Sequence, residues 1–258
     1  MNLKIDCQKT TEKLVKFIKD GVKKAGFKQV VIGFSGGIDS AVSLTLAVKA
    51  LAKENVFAVV LPYSKENKKD VEDIFLITNL LKIPLQNVVQ INIQSMVDSF
   101  LKTIKDADQI RKGNIIARTR MILLYDLAKK HQALVCGTEN KSEHVLGYYT
   151  RFGDEASDLE PIKGYYKTQI RQLARFLNIP EKIINKPPSA GLWQGQTDEK
   201  ELGFSYQEAD PILALYFEKK HSWDKITQAG FETELLEKVK AWIEKNEFKS
   251  KVPLLPEA

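Results

Sequence analysis

Cysteine is scarce in this chain of 258 residues: only Cys7 and Cys136 occur, far apart. Neither a zinc ribbon nor a Cys-x-x-Cys redox pair can be assembled from them. Cys136 lies in the run Leu134-Val135-Cys136-Gly137 and reads as a buried structural thiol. No apolar stretch approaches the length of a membrane span, and residues 1–6 lack a signal-peptide pattern. A cytoplasmic protein with no membrane partner is the expectation. Basic tails, tracts of alternating basic and aromatic residues, internal repeats, low-complexity segments and interdomain linkers are also missing. A single domain, 1–258, that binds no nucleic acid is therefore expected. The formal charge of +6 is carried by lysines spread through the amphipathic stretches 9–24 and 219–249. That pattern suits a solvated surface that attracts small polyanions.

What is present is concentrated in one turn. Ser35-Gly36-Gly37-Ile38-Asp39-Ser40 directly follows the apolar run Val30-Val31-Ile32-Gly33-Phe34. A strand feeding a glycine turn that opens a helix aims backbone N–H groups at whatever lies above it, which suits a phosphate. The hydroxyls of Ser35 and Ser40 can add donors. The spacing G-x-x-x-x-G-K-[ST] is absent, and no lysine stands where that loop would place one. Asp39 instead sets a negative charge beside an anion, which a magnesium ion between them would reconcile, so Asp39 reads as a magnesium ligand. The plainer reading is a helix N-terminus capped by Asp39 and Ser40.

Apolar periodicity predicts a helix over 11–25, a buried strand over 30–34, a helix over 41–53 and a second strand over 56–61. A helix over 70–81, a strand over 88–93, helices over 94–104 and 110–130 and a strand over 133–136 follow. The implied fold is α/β: an open, Rossmann-like parallel sheet with helices on both faces. In such sheets ligands gather beyond the carboxyl ends of the strands, which puts the glycine turn and the segment after Cys136 on one edge. Beyond a helix over 168–177, the last third forms a helical elaboration, over 206–219, 223–228 and 232–246. Residues 62–69 and 185–203 read as loops that order over a bound ligand. In the segment after Cys136, Thr138 offers a hydroxyl and Glu143 a carboxylate one helical turn on. Glu143 could join Asp39 on the metal, or complete a capping box begun by Asn140; the local pattern leaves both open.

The glycine turn resembles the pyrophosphate-binding loop of ATP pyrophosphatases, which cleave ATP to AMP and pyrophosphate. A longer series of blocks resembles the ammonia-dependent NAD synthetase family. It comprises Lys112-Gly113-Asn114 with Ala117-Arg118-Thr119-Arg120-Met121, then Gly137-Thr138 with Glu143, then Gly147-Tyr148-Tyr149-Thr150-Arg151-Phe152-Gly153-Asp154. Asp158-Leu159-x-Pro161-Ile162, Lys186-Pro187-Pro188-Ser189-Ala190 and Gln196-Thr197-Asp198-Glu199-Lys200-Glu201-Leu202-Gly203 complete it. These run in family order over nearly the whole chain. Arg151 and Ser189 stand where other members often carry Lys and Thr, swaps that keep the charge and the hydroxyl.

The resemblance implies a ligase that forms a C–N bond, converting deamido-NAD, ATP and ammonia to NAD, AMP and pyrophosphate through an acyl-adenylate. It implies ATP contacts at Gly33, Phe34, Ser35, Gly36, Gly37, Ile38, Asp39, Ser40, Thr138, Lys167 and Ser189. Magnesium would be held by Asp39 and Glu143. The deamido-NAD contacts would be Arg118, Arg151, Asp158, Phe248 and Lys249, and the assembly a homodimer. Lys167 at a helix start opposes the helix dipole unless it and the N-terminus both face a phosphate. Asp39, Lys167 and Asp154 would serve the chemistry, Asp154 by drawing a proton from ammonium. Arg118 could instead be a solvent-facing helix residue, and Asp154 and Asp158 turn residues bonding local backbone. Only 34 residues precede Ser35, too few for a glutamine amidohydrolase domain, so free or partner-supplied ammonia is the expected nitrogen source. A tRNA-modifying adenylating enzyme and a non-catalytic nucleotide-binding module are the competing readings.

Overall fold

A computed structural model describes residues 3–63, 68–193 and 195–251. Its elements, in chain order, are α1 (Cys7–Lys24), β1 (Gln29–Gly33), α2 (Ile38–Leu51), β2 (Val56–Val60), α3 (Lys68–Leu80), β3 (Val88–Gln90), α4 (Gln94–Thr103) and α5 (Gln109–Lys130). They continue with β4 (Ala133–Val135), α6 (Lys141–Leu146), α7 (Lys167–Phe176), α8 (Glu181–Ile184), α9 (Asp198–Leu202), α10 (Tyr206–Phe217), α11 (Trp223–Thr227) and α12 (Thr233–Asn246).

The strands form one all-parallel sheet in the order β3-β2-β1-β4, with Val31 opposite Phe57 and Val30 opposite Leu134. Alternation along the strands explains why both faces are covered. Val30, Ile32, Val56, Ala58 and Val60 enter a core shared with α1, α2 and α7. Val31, Phe57 and Val59 enter a second core, under α4 and α5. A third cluster, built by α10, α11 and α12 with α6 and α9, forms the helical C-terminal part. The sheet class, the helices on both faces and the C-terminal helices match the expectation from the sequence.

Several boundaries move for identifiable reasons. Helix α1 starts four residues earlier than periodicity predicts, because Asp6 caps it by accepting from the Lys9 amide at 3.0 Å. Strand β3 stops at Gln90 instead of running to 93. Beyond it, single bonds from Ile91 N to Val60 O and Ile93 N to Pro62 O, each 3.0 Å, replace a ladder. The expected loop 185–203 ends in helix, since Thr197 caps α9 and Gly203 closes it in the left-handed region. Within the expected loop 62–69, residues 64–67 lie outside the described residues.

The chain runs from β1 outward through β2 and β3, then returns to place β4 on the other side of β1. The crevice beyond the carboxyl ends of β1 and β4 is thus the point where strand order reverses, the place where open α/β sheets accept ligands.

Candidate active site

Two loops meet in that crevice. The first follows β1. Phe34 still pairs with the sheet, its amide donating to Val59 O at 2.7 Å. Gly36 then takes φ +74°, a left-handed turn that a side chain would strain. The serine hydroxyls serve the turn itself: Ser35 Oγ accepts from Gly37 N at 3.2 Å and pairs with Ser40 Oγ at 3.1 Å, while Ser40 Oγ donates to Gly37 O at 3.0 Å. They brace the loop instead of pointing free donors outward. Helix α2 starts at Ile38 with no side-chain cap, so Asp39 is not the capping residue. The first amides of α2 therefore have no intrahelical acceptor and face the crevice as a ready anion site.

The second loop follows β4, where half-buried Thr138 leads into Asn140. Asn140 and Glu143 form the capping box: Glu143 N donates to Asn140 Oδ1 at 3.0 Å, and Asn140 N to Glu143 Oε2 at 3.3 Å. That uses one oxygen of Glu143 and leaves Oε1 to the crevice. Buried Asn140 also reaches across, its Nδ2 donating to Asp39 Oδ1 at 3.0 Å. Asn140 thereby fastens the two loops together.

Lys167 stands between the carboxylates. Its ammonium lies 2.5 Å from Asp39 Oδ2 and 3.0 Å from Glu143 Oε1, and the residue is 2 % exposed. Burial opposes the lysine's charge, but Asp39 and Glu143 overcome it and raise its pKa well above that of an ordinary lysine. Burial pushes the Glu143 carboxyl upward; Lys167 pulls it back, and Asp39 and Asp198 add to the rise. The first amides of α7 are taken up within the chain and do not call for the expected phosphate: Lys167 N donates to Ser142 Oγ at 2.9 Å and Thr168 N to Asp210 Oδ2 at 2.8 Å. Ser142 Oγ in turn donates to Asp210 Oδ1 at 2.6 Å. Asp210, fully buried, thus supplies the negative charge that end of the helix prefers.

Asp39, Glu143 and Asp198 set three carboxyl groups against one lysine in this cluster. Hard oxygen donors in excess suit a magnesium ion, which typically takes one or two carboxylates and completes its shell with phosphate and water. Among the described residues no group of three acidic, histidine or cysteine side chains could hold an ion unaided. Asp39 and Glu143 fit the smaller share that magnesium requires.

Four of the five residues expected at the dinucleotide gather elsewhere, around the turn after α6. Arg118 donates through Nε and Nη2 to Arg151 O at 3.2 and 3.1 Å. The Arg151 guanidinium lies 5.1 Å from the Phe248 ring centre. Lys249 donates to Gly147 O at 2.6 Å and Tyr149 O at 3.0 Å, so its ammonium ties the C-terminal segment to that turn. Asp158 stands apart, exposed, with Oδ2 accepting from Val135 N at 2.8 Å. Asp154 is likewise exposed, its Oδ1 accepting from Thr150 N at 2.9 Å. Ser189 is exposed, and its hydroxyl accepts from Gly191 N at 3.1 Å.

Sequence reasoning missed the residues that act across the fold. Arg120 is one. From α5 it donates to Leu61 O at 3.2 Å, Ala190 O at 3.4 Å and Gly191 O at 3.3 Å, pinning the Ser189 segment to the end of β2. Asp198, Tyr206 and Asp210 are others. Asp210 stands at the edge of an apolar stretch, whereas Asp198 is marked in the sequence only by the block it belongs to.

The NAD synthase family profile matches residues 10–253. An NH(3)-dependent NAD(+) synthetase from Chlorobaculum tepidum is 42% identical over 254 residues, 98% of this chain and 91% of that one. Among solved structures, an NMN synthetase from Francisella tularensis superimposes with a TM-score of 0.86 at 35% identity, covering 99% of this chain and 100% of that one. An NH3-dependent NAD synthetase from Campylobacter jejuni, bound to nitrate, gives a TM-score of 0.83 at 38% identity, covering 98% of this chain and 100% of that one.

Proposed function

The chain belongs to the NAD synthase family, and from that premise we propose how its own residues carry out the family's reaction. The protein is a ligase that amidates deamido-NAD with ammonia at the expense of ATP. The nicotinate carboxylate resists ammonia because it is anionic and has no leaving group. Attack of its oxygen on the α-phosphorus of ATP expels pyrophosphate and gives an acyl-adenylate. Ammonia then adds to the acyl carbon, AMP leaves, and a proton is shed to solvent or a nearby base.

The observation that carries the residue assignments is the Asp39–Lys167–Glu143 cluster at the point of strand reversal, beside the open amides of α2. Those amides, from the turn Gly33 to Ser40, would bind the departing pyrophosphate. Thr138 and Ser189 would contact the nucleotide from the two flanking segments. Lys167 would turn from the carboxylates towards the phosphate oxygens as charge builds on them, and its buried stem limits how far it can stray. Asp39 and Glu143 would hold magnesium, which when bound supplies positive charge against the triphosphate. Arg118, Arg151, Phe248 and Lys249 would form the dinucleotide side, with the Arg151–Phe248 stack a ready platform for an aromatic base or ring. Asp158 would add a contact through its second oxygen, and Asp154 would serve ammonium.

Large apolar residues exposed on α4 and α5, namely Met96, Phe100, Ile110 and Ile122, support assembly as a homodimer. Among the described residues no helix is long and apolar enough to cross a membrane, in keeping with a cytoplasmic setting.

The test is to incubate the pure chain with ATP, magnesium, ammonium and deamido-NAD, with the corresponding deamido-mononucleotide run in parallel. NAD, AMP and pyrophosphate in equal amounts are expected. ADP as the nucleotide product would overturn the adenylation chemistry, and preference for the mononucleotide would overturn the substrate.

A further inference from the structure

Beneath the Lys167 ammonium lies a buried pair that the reaction as described does not use. The Tyr206 ring centre is 5.1 Å below Lys167 Nζ, and the residue is 1 % exposed. Its hydroxyl donates to Asp198 Oδ2 at 3.0 Å. Asp198 is itself only 3 % exposed, and its buried carboxyl also faces the buried Tyr148 hydroxyl. A carboxyl group placed this deep costs stability except as far as hydrogen bonds and opposite charge offset it, here the Tyr206 hydroxyl and the Lys167 ammonium. Asp198 also opens α9, where the 185–203 segment returns to the body, and its amide donates to Pro188 O at 2.9 Å. Pro188 immediately precedes Ser189. A continuous line thus runs from Lys167 through the Tyr206 ring and hydroxyl to Asp198, and on to the backbone carrying Ser189. Gln196 stiffens the same segment, accepting from Leu192 N and donating to Glu201 Oε1, both at 2.8 Å.

We propose that Tyr206 and Asp198 are a positioning pair that seats the 185–203 segment on the floor of the site, so that the acyl-adenylate meets ammonia and not water. This rests on the reaction given above. Tyr206 is held by α10, whose start is fixed by the Ser205–Glu208 capping box, so it offers the segment a rigid anchor. Water that enters attacks the same acyl carbon as ammonia, AMP leaves, and the carboxylate of deamido-NAD is regenerated. One ATP is then spent for no NAD.

The experiment compares AMP and NAD formed in one reaction mixture by wild type, Tyr206→Phe, Asp198→Ala and Asp198→Asn. Tyr206→Phe removes one hydroxyl and leaves the ring beneath Lys167. It should raise the AMP-to-NAD ratio from one to about two or more at low ammonium, and excess ammonium should pull it back towards one, because water and ammonia compete for one carbon. Asp198→Ala should leak likewise, while Asp198→Asn, which keeps an acceptor for the hydroxyl, should return the ratio close to one. A merely structural role would lower thermal stability or active fraction and leave the ratio at one. A ratio of one in Tyr206→Phe, whatever its rate, overturns the proposal, as does Asp198→Asn leaking as much as Asp198→Ala. If wild type makes AMP and NAD in equal amounts, the underlying reaction stands regardless. If wild type makes no NAD, that reading fails, and the positioning role falls with it.

Discussion

Replacing Lys167 with methionine would show whether charge holds the site together. Methionine keeps an unbranched apolar stem in this buried position and removes only the ammonium. At an effective dielectric constant of about 20, contacts at 2.5 and 3.0 Å each amount to roughly 5–7 kcal/mol of Coulomb attraction before desolvation is subtracted. After that subtraction, breaking a buried ion pair from one side costs about 3–5 kcal/mol, because the charges left behind have no partner. Here the groups left behind also repel one another, so the upper part of that range is expected. Two conditions should moderate the loss. If Asp39 and Glu143 hold magnesium as proposed, the ion would take the ammonium's place, and at about one-hundred-fold excess over its dissociation constant it would return about 2.7 kcal/mol. Lower pH also helps. Without Lys167 the folded-state pKa of Glu143 rises further, so the native protein keeps a proton that the unfolded chain has released, and the deficit shrinks as pH falls. Urea denaturation at about pH 8 and about pH 6, with and without magnesium, measures all three effects. A Lys167→Met variant as stable as wild type at the higher pH, with the same magnesium dependence, would refute the reasoning.

Asp39→Asn should abolish pyrophosphate release with a smaller stability loss than Lys167→Met, since Glu143 still faces the ammonium; wild-type turnover at limiting magnesium would count against Asp39 as a ligand. Burial pushes the Glu160 carboxyl up to about 8. A raised folded-state pKa means that stability present at low pH is lost as pH rises through the interval from about 4.5 to 8, by at most about 1.4 kcal/mol per pH unit. Glu160→Gln should remove that slope and be the more stable protein at about pH 8 in urea melts; parallel slopes for variant and wild type would sink the argument. Asp154→Asn keeps an acceptor for the Thr150 amide and so should fold normally. It should nonetheless need more ammonium for half-maximal rate, increasingly so at low pH. An unchanged ammonium dependence leaves Asp154 a turn residue.

The sheet and its glycine turn were legible because their causes are local. Continuous apolar runs such as Val30-Val31-Ile32 specify strands buried on both faces, and Gly36 announces a turn that other residues strain. Glu143 was legible only as two alternatives, of which the structure forms the capping box with one oxygen while the other meets Lys167. What stayed hidden are partners supplied at a distance. Nothing near Lys167 in sequence reveals that Asp210, on α10, caps the helix Lys167 begins. Nor does the local pattern show that Ser35 and Ser40 spend their hydroxyls on each other, or that the Lys249 ammonium is taken up by backbone carbonyls. Periodicity records which face of an element is buried and is silent on which polar group waits there.

The reversal of strand order has a consequence for how the protein comes to exist. Asn140 lies 101 residues from Asp39, and Lys167 lies 128 residues from it. Contacts of that span close large loops, and such closures slow folding because their entropy is lost before the contact rewards it. The β1–β2–β3 half can pair as it emerges, yet it contains only one wall of the crevice until β4 docks against β1. A nascent or partly unfolded chain therefore carries the glycine turn but not the ammonium and carboxylate that complete it. On the roles proposed above, such a chain would lack the ammonium and carboxylate that adenylation needs.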